Sequence, residues 1–204
     1  MRRHNFCMMK TAIPALILAS SSPYRKALLA RLGLPFETVS PDVDEAQQPG
    51  EQVHHLVRRL ALAKARAGSI GHSNALVIGS DQCAVRGAAI LGKPGNFETA
   101  FAQLKAAAGK FLTFHNGLCL LNKTTGEAQL DDVVVTVRFR RLSDDQIATY
   151  LRREAPYNCA GSFMLEGLGI ALIERIEGDD PNALIGLPLI KLVSMLANAG
   201  VRVI

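Results

Sequence analysis

The stretch Ala15 to Gly33, ALILASSSPYRKALLARLG, decides how the fold is read. Ala15 to Ala19 is a short apolar run with the length and composition of a buried strand, and it ends in Ser20-Ser21-Ser22-Pro23. Beyond the serines, Ala27, Leu28, Leu29 and Leu32 recur at helical spacing until Gly33 stops them. Ser22 suits the N-cap and Pro23 the first helical position, where a missing N–H costs nothing. The segment therefore reads as strand, hydroxyl-rich turn, helix.

Outward from this unit the chain keeps alternating. Phe36 to Ser40 reads as a second short strand, Pro41 to Gly50 as a loop carrying Asp42, Asp44 and Glu45, and Glu51 to Ala67 as a helix with Val53, Leu56, Leu60 and Ala63 on one face. Ala75 to Gly79 is a buried strand running into Ser80-Asp81-Gln82, and Cys83 to Leu91 fits a hairpin around Gly87. Gly92-Lys93-Pro94-Gly95 introduces a helix from Phe97 to Ala108, after which Phe111 to Leu121 and Val133 to Phe139 are strand-like, with Lys123 to Gly126 as turn material. Ser143-Asp144-Asp145-Gln146 fits a capping box that opens a helix through Arg153. A glycine-punctuated loop, Gly161 to Gly169, precedes expected strands at Ile170 to Ile176 and Val201 to Ile204, with a helix at Leu187 to Asn198 between them. This order predicts an α/β fold with a mixed twisted sheet and flanking helices, residues 12–204 forming one domain and residues 1–11 an N-terminal extension.

Composition narrows the function classes. The 204 residues are 49% hydrophobic and 20% charged, which removes support for a disordered, collagen-like or coiled-coil chain. The formal charge is +5, but aromatics make up 5% with no Trp, and the basic residues are spread along the chain. That distribution favours a small anionic ligand over a dedicated nucleic-acid surface. Cys7, Cys83, Cys119 and Cys159 lie far apart, without zinc-ligand spacing, and read as free thiols in a reducing compartment. Arg2, Arg3 and Lys10 ahead of Ala12 to Ala19 imitate a secretory signal, yet the apolar run is short, broken by Pro14, and its removal would take away the first core strand. With no apolar stretch long enough for a bilayer, the expectation is a cytoplasmic protein without a membrane partner.

Four segments could carry chemistry. The serine turn offers backbone N–H groups and a positive dipole end to an anion, with Arg25 adding charge, although a well-capped helix needs no ligand. Asp81 follows an apolar strand, where ligand sites of α/β sheets gather, although an ordinary turn would look the same. Lys93 sits on a stiff loop and Lys64 on the preceding helix, both residue types being common on surfaces. Asp179 and Asp180, before Pro181 and Asn182, are either a helix cap or hard oxygen ligands for Mg²⁺ or Mn²⁺, with Glu45 completing such a set. Together they describe a site for phosphate plus metal. The P-loop, the dinucleotide-binding glycine turn and the serine nucleophile elbow are all missing from the sequence.

Six ordered segments, Ser20 to Arg25, Asp42 to Glu45, Gly79 to Gln82, Gly92 to Pro94, Glu166-Gly167 and Gly178 to Pro188, resemble the motifs of the Maf (septum formation) family of nucleoside triphosphate pyrophosphatases. The resemblance implies a fold like that of the inosine triphosphate pyrophosphatases, with two lobes around a central cleft. It also implies divalent-metal-dependent hydrolysis of the α-β phosphoanhydride bond of a nucleotide, and a homodimer. By position Asp81 matches the family's catalytic acid and a metal ligand with Glu45, while Ser20, Arg25, Lys64 and Lys93 match residues of the phosphate site. Tyr24, Gln82 and Glu166 stand where the main branch of the family has Arg, Thr and Gln, and these departures look like the branch that acts on 7-methyl-GTP.

The departures make chemical sense. Methylation at N7 makes guanine cationic, Tyr24 offers it an aromatic face, and Glu166 offers a carboxylate to the N1 and N2 donors. Gln82 would add a directional hydrogen bond. The expected function is hydrolysis of 7-methyl-GTP to 7-methyl-GMP and pyrophosphate. The alternatives are the same reaction on dTTP or UTP, and a non-enzymatic cell-division regulator that binds nucleotide or nucleic acid.

Overall fold

The computed structural model describes residues 14–204, so the expected extension at residues 1–11 lies outside the described residues. The described chain builds one seven-stranded sheet from β1 (Ala15–Ala19), β2 (Glu37–Val39), β3 (Ala75–Arg86), β4 (Ala89–Leu91), β5 (Phe111–Asn122), β6 (Ala128–Phe139) and β7 (Ile173–Glu177). The strand order is β2-β1-β3-β5-β6-β7, with β4 pairing on β3. β1 pairs in parallel with β2 and β3, and the remaining pairs are antiparallel. The helices are α1 (Pro23–Ala30), α2 (Val53–Gly68), α3 (Phe97–Ala107), α4 (Asp144–Glu154) and α5 (Leu189–Asn198). The mixed α/β sheet read from the sequence is the observed architecture.

Strand parity assigns the layers. Along β1 and β3, Leu16, Leu18, Leu76 and Ile78 join Leu28 and Leu29 of α1 and Leu192 and Leu196 of α5 in one core. Ile17, Ala19, Ala75 and Val77 face the other way, onto Ala61 and Ala65 of α2. Apolar side chains on both faces are what a strand covered on both sides requires. A third core lies under α3 and α4, where Phe114, Val135, Phe139, Leu104, Ile147 and Phe163 meet; Phe139 and Phe163 pack edge to face at 5.5 Å. Truncating a fully buried ring such as Phe114 to Ala would cost about 3–5 kcal/mol. The long strands β3, β5 and β6 run through both halves, so the lobes share one sheet.

Two glycines let α2 lie directly on that sheet. A Cβ at Gly79 would stand 2.7 Å from Ala65 N and closer still to the Ala61 carbonyl, and one at Gly117 would run into the Val57 carbonyl. Gly117 pairs with Asp81 across β3 and β5. The helix backbone is thus pressed against the sheet beside the residue expected to be catalytic.

Four elements differ from expectation, the first being β6, which starts at Ala128 and not at Val133. The expected strand Ala75 to Gly79 continues to Arg86, so Asp81 lies inside a strand and not at its end. The polar residues after Gly79 ended the apolar run, but their backbone goes on pairing with β5. Ile170 to Leu172 belongs to a 3₁₀ turn, Leu168–Leu172, and β7 starts only at Ile173. Val201 to Ile204 forms no strand: Val201 N–H donates back to the Leu196 carbonyl, and Val201 and Val203 pack against the α1 and α5 core.

Candidate active site

A cleft of about 730 Å³ opens between the halves, of the size that small-molecule sites occupy. Ser20, Tyr24, Arg25, Glu45, Lys64, Asp81, Gln82, Lys93 and Glu166 all line it. Residues separated by as many as 146 positions are therefore brought to one wall system.

At its centre is Lys64, 7% exposed, whose Nζ donates to Asp81 Oδ1 at 2.7 Å and reaches Glu45 Oε1 at 2.5 Å. α2 carries Lys64 on the same stripe as Ala61 and Ala65, and the glycine-permitted close approach delivers it to Asp81. Glu45 comes from the expected acidic loop. Asp44 Oδ1 accepts from the Ala46 N–H, and Arg59 of α2 donates to the Ala46 carbonyl and both oxygens of Glu51, which fastens the loop to the helix. Burial pushes the Glu45 carboxyl up, but the hydrogen bond and charge of Lys64, with the charges of Lys93 and Arg25, bring it below its usual value. Glu45 is thus an anion throughout the neutral range.

The serine turn forms as expected. Ser22 caps α1 by accepting from Arg25 N–H at 3.3 Å, and Ser20 Oγ accepts from Ser22 N–H at 3.1 Å. Those two N–H groups are therefore taken by protein side chains, and the charge offered to an anion comes chiefly from Arg25. Burial lowers the Arg25 pKa from its usual value while Asp81 and Glu45 oppose that shift, and a guanidinium remains charged at any working pH. Its Nε donates to the Gly186 carbonyl at 2.8 Å.

Parity along β3 divides the tripeptide 80–82. Asp81 shares the α2 face with Val77 and Gly79. Ser80 and Gln82 share the opposite face with Leu76 and Ile78. Ser80 Oγ donates to the Gly186 carbonyl at 2.9 Å, and Gln82 Nε2 donates to the carbonyls of Ala183 at 2.8 Å and Leu184 at 3.2 Å. The Gln82 amide donors are thus committed to the 183–184 backbone, which identifies the partner of the directional hydrogen bond expected of this residue. Ser80 and Gly186 lie inside the quoted motifs, but the sequence reading assigns neither of them a role. The two-residue period of the strand was the signal that could have found Ser80.

At the other end, Tyr24 is 39% exposed and its hydroxyl donates to Met164 Sδ at 3.4 Å, joining α1 to the glycine-rich loop across the cleft. That loop is held from behind by Tyr150, whose hydroxyl accepts from Met164 N–H at 3.1 Å. The Glu166 carboxyl is pushed above its usual range by partial burial, its own backbone hydrogen bond opposing and the charge of Glu154 adding to the rise. Among the described residues neither acid is in a salt bridge. Lys93 lies on its exposed loop at the cleft rim.

The late acids do not join. Asp180 is 2% exposed and fully engaged: Oδ1 accepts from Asn182 N–H and Nδ2, and Oδ2 from Ile190 N–H. It is a cap that ties two helical turns together, and neither Asp179 nor Asp180 lines the cleft. Among the described residues no three His, Cys, Asp or Glu side chains cluster as a metal cage. Of the carboxylates that line the cleft, Glu45 and Asp81 converge on the Lys64 ammonium, and two carboxylates could hold a Mg²⁺ that takes its other ligands from substrate phosphates and water.

Comparison with known proteins gives a consistent result. A family model described as Maf-like protein matches residues 15–199. A relative from Nitrosococcus oceani, named 7-methyl-GTP pyrophosphatase, is 58% identical over 193 residues, covering 95% of this chain and 97% of its own. Relatives of the same name from Methylobacillus flagellatus and Pseudomonas syringae pv. tomato are each 55% identical, covering 94% of this chain and all of theirs.

Proposed function

The chain belongs to the Maf-like protein family, and from that premise we propose that its cleft hydrolyses 7-methyl-GTP to 7-methyl-GMP and pyrophosphate. The observation that carries the site assignment is the convergence of Asp81, Lys64 and Glu45, flanked by Arg25 and Lys93, in one triphosphate-sized cleft.

In this reading water attacks the α-phosphorus, Asp81 accepts the water's proton, and the α-β bond breaks with pyrophosphate as leaving group. Lys64, Lys93 and Arg25 offset the charge that grows on the leaving oxygens, and Ser20 orients a phosphate oxygen. A divalent cation such as Mg²⁺ or Mn²⁺, held by Glu45 and Asp81, would neutralise further phosphate charge. Glu166 accepts from the N1 and N2 donors of the base and Tyr24 presents its ring to the cationic purine. Gln82 supports this end through the 183–184 backbone. Residues 12–204 act as one domain, two copies pair as a dimer, and the nucleotide substrate, with the free thiols of Cys83, Cys119 and Cys159 among the described residues, suits the cytoplasm. No described helix is long and apolar enough to cross a membrane.

The test is pyrophosphate release from 7-methyl-GTP, GTP, dTTP and UTP with and without Mg²⁺ or Mn²⁺. We expect metal-dependent release with 7-methyl-GTP preferred, and Asp81→Asn to lower kcat about a thousandfold while nucleotide still binds. A preference for dTTP or UTP would overturn the substrate, silence across the panel the enzyme, and near-normal turnover of Asp81→Asn the role of that residue.

A further inference from the structure

The Gly186 carbonyl receives two donors, Arg25 Nε at 2.8 Å and the buried Ser80 Oγ at 2.9 Å. One carbonyl oxygen has two lone pairs, so the two bonds coexist and fix the oxygen from two directions. Gly186 has φ +112, and a Cβ there would stand 3.2 Å from Arg25 Nε and 3.7 Å from Cζ. The bare backbone of residue 186 therefore lies along the guanidinium itself. The turn that presents this carbonyl is held at its other end by Gln82 on the carbonyls of Ala183 and Leu184, and by Arg31, which donates to Asn182 Oδ1 at 2.6 Å.

We propose that Ser80 and Gln82 are positioning residues for phosphate binding, acting through the 183–186 turn to aim the Arg25 guanidinium into the cleft. A guanidinium tethered at Nε is left with its two Nη groups, which form the fork that grips phosphate oxygens. Free rotation of that fork would be lost on every binding event, and holding it beforehand removes the loss. The same three residues of β3 thus serve both halves of the reaction site: Asp81 toward α2 and the attacking water, Ser80 and Gln82 toward the turn that sets the leaving-group cation. This rests on the reading of Arg25 as a phosphate ligand.

The experiment measures KM and kcat for 7-methyl-GTP and the inhibition constant of inorganic pyrophosphate in Ser80→Ala, Ser80→Thr, Arg25→Lys and the Ser80→Ala/Arg25→Lys double variant. Ser80→Ala is expected to raise KM and weaken pyrophosphate inhibition about fivefold with kcat within about twofold, the scale of one lost hydrogen bond. Ser80→Thr restores both. In the Arg25→Lys background, which has no Nε–H to be held, Ser80→Ala adds nothing further. If Arg25→Lys itself leaves pyrophosphate inhibition unchanged, the reading of Arg25 fails. If Arg25→Lys weakens it but Ser80→Ala does not, or weakens it equally in both backgrounds, the positioning role is overturned. Should Ser80→Ala not fold, Gln82→Met, which removes both amide donors, is read in the same way with the same two backgrounds.

Discussion

Replacing Gly79 by Ala is the sharpest perturbation of the site that touches no polar group. The new Cβ would lie 2.7 Å from Ala65 N and nearer to the Ala61 carbonyl, where carbon needs about 3.3 Å or more from oxygen. Both obstacles are helix backbone, so no rotamer change relieves them, and α2 must lift by about 1 Å. Overpacking of this kind costs about 3 kcal/mol, which for a chain of this length lowers the melting temperature by about 10 °C. Lys64 rides on the displaced helix. Its 2.7 Å bond to Asp81 would stretch beyond hydrogen-bond range, and a misplacement of about 1 Å at a catalytic centre costs about a hundredfold in rate. The assay pairs thermal unfolding with kcat/KM for 7-methyl-GTP at a temperature where the variant is fully folded. Gly87→Ala is the control: nothing lies within 4 Å of its Cβ but φ is +61, so it is expected to lose about 1 kcal/mol and keep its activity. A Gly79→Ala enzyme that melts and turns over like the parent would refute the claim that backbone contact between α2 and β3 sets the Lys64 to Asp81 geometry.

Three further outcomes are expected. Glu166→Gln should lower the ratio of kcat/KM for 7-methyl-GTP over GTP about tenfold, because the amide accepts without a charge; an unchanged ratio removes Glu166 from base selection. Arg59, by its hydrogen bonds, lowers the Glu51 carboxyl to about 2 against the opposition of burial and with help from Gln48 N–H, so its contribution to stability is complete above pH 4.5 and lost as pH falls toward 2. Urea unfolding between pH 5 and pH 2 should therefore show a flatter decline for Glu51→Gln than for the parent, and parallel curves would disprove the linkage. Burial pushes the thiols of Cys83 and Cys119 up to about 12, so at pH 8 a thiolate-dependent disulfide reagent should label them only after denaturation, and rapid native labelling of Cys83 would contradict that burial.

The parts of the fold legible in the sequence are those fixed by neighbours a few residues away. β1 is an uninterrupted apolar run, α1 carries its own cap, and the capping box of Ser143 and Gln146 forms with both hydrogen bonds present. What stayed hidden depends on distant partners. Cys83 to Arg86 is legible as one arm of the hairpin to β4, but nothing local distinguishes Ser80 to Gln82 as strand, since their pairing is supplied by residues 116–118 of β5. Ile170 to Leu172 has strand composition, but Gly169 N–H is bonded to the Met164 carbonyl and the Leu172 carbonyl accepts from Arg140 N–H, which holds the segment in a turn. The site followed the same rule. Motif resemblance named the nine cleft residues, yet it could not tell that Asp180 is a saturated cap, nor that the Gln82 amide serves backbone carbonyls.

The charge layout of the cleft argues for one orientation of the nucleotide. Arg25, Lys64 and Lys93 outnumber Glu45 and Asp81 by one, so the end around Asp81 is positive before any cation enters. The end around Tyr24 carries Glu166 with the charge of Glu154 close enough to raise its proton affinity, and among the described residues neither acid is in a salt bridge. Two like charges held near each other without compensation are unfavourable until a positive group arrives. A 7-methylguanine nucleotide carries its positive ring at one end and its phosphates at the other, so one orientation satisfies both ends and the reverse satisfies neither. If Glu166 is the acid that receives the base, an unmethylated purine leaves the acids uncompensated, and discrimination is then a matter of charge and not of fit to a methyl group alone. On this argument selectivity should weaken as salt is raised only to the extent that these partly exposed acids are screened, whereas a pocket that recognised the methyl group by shape would be indifferent to ionic strength.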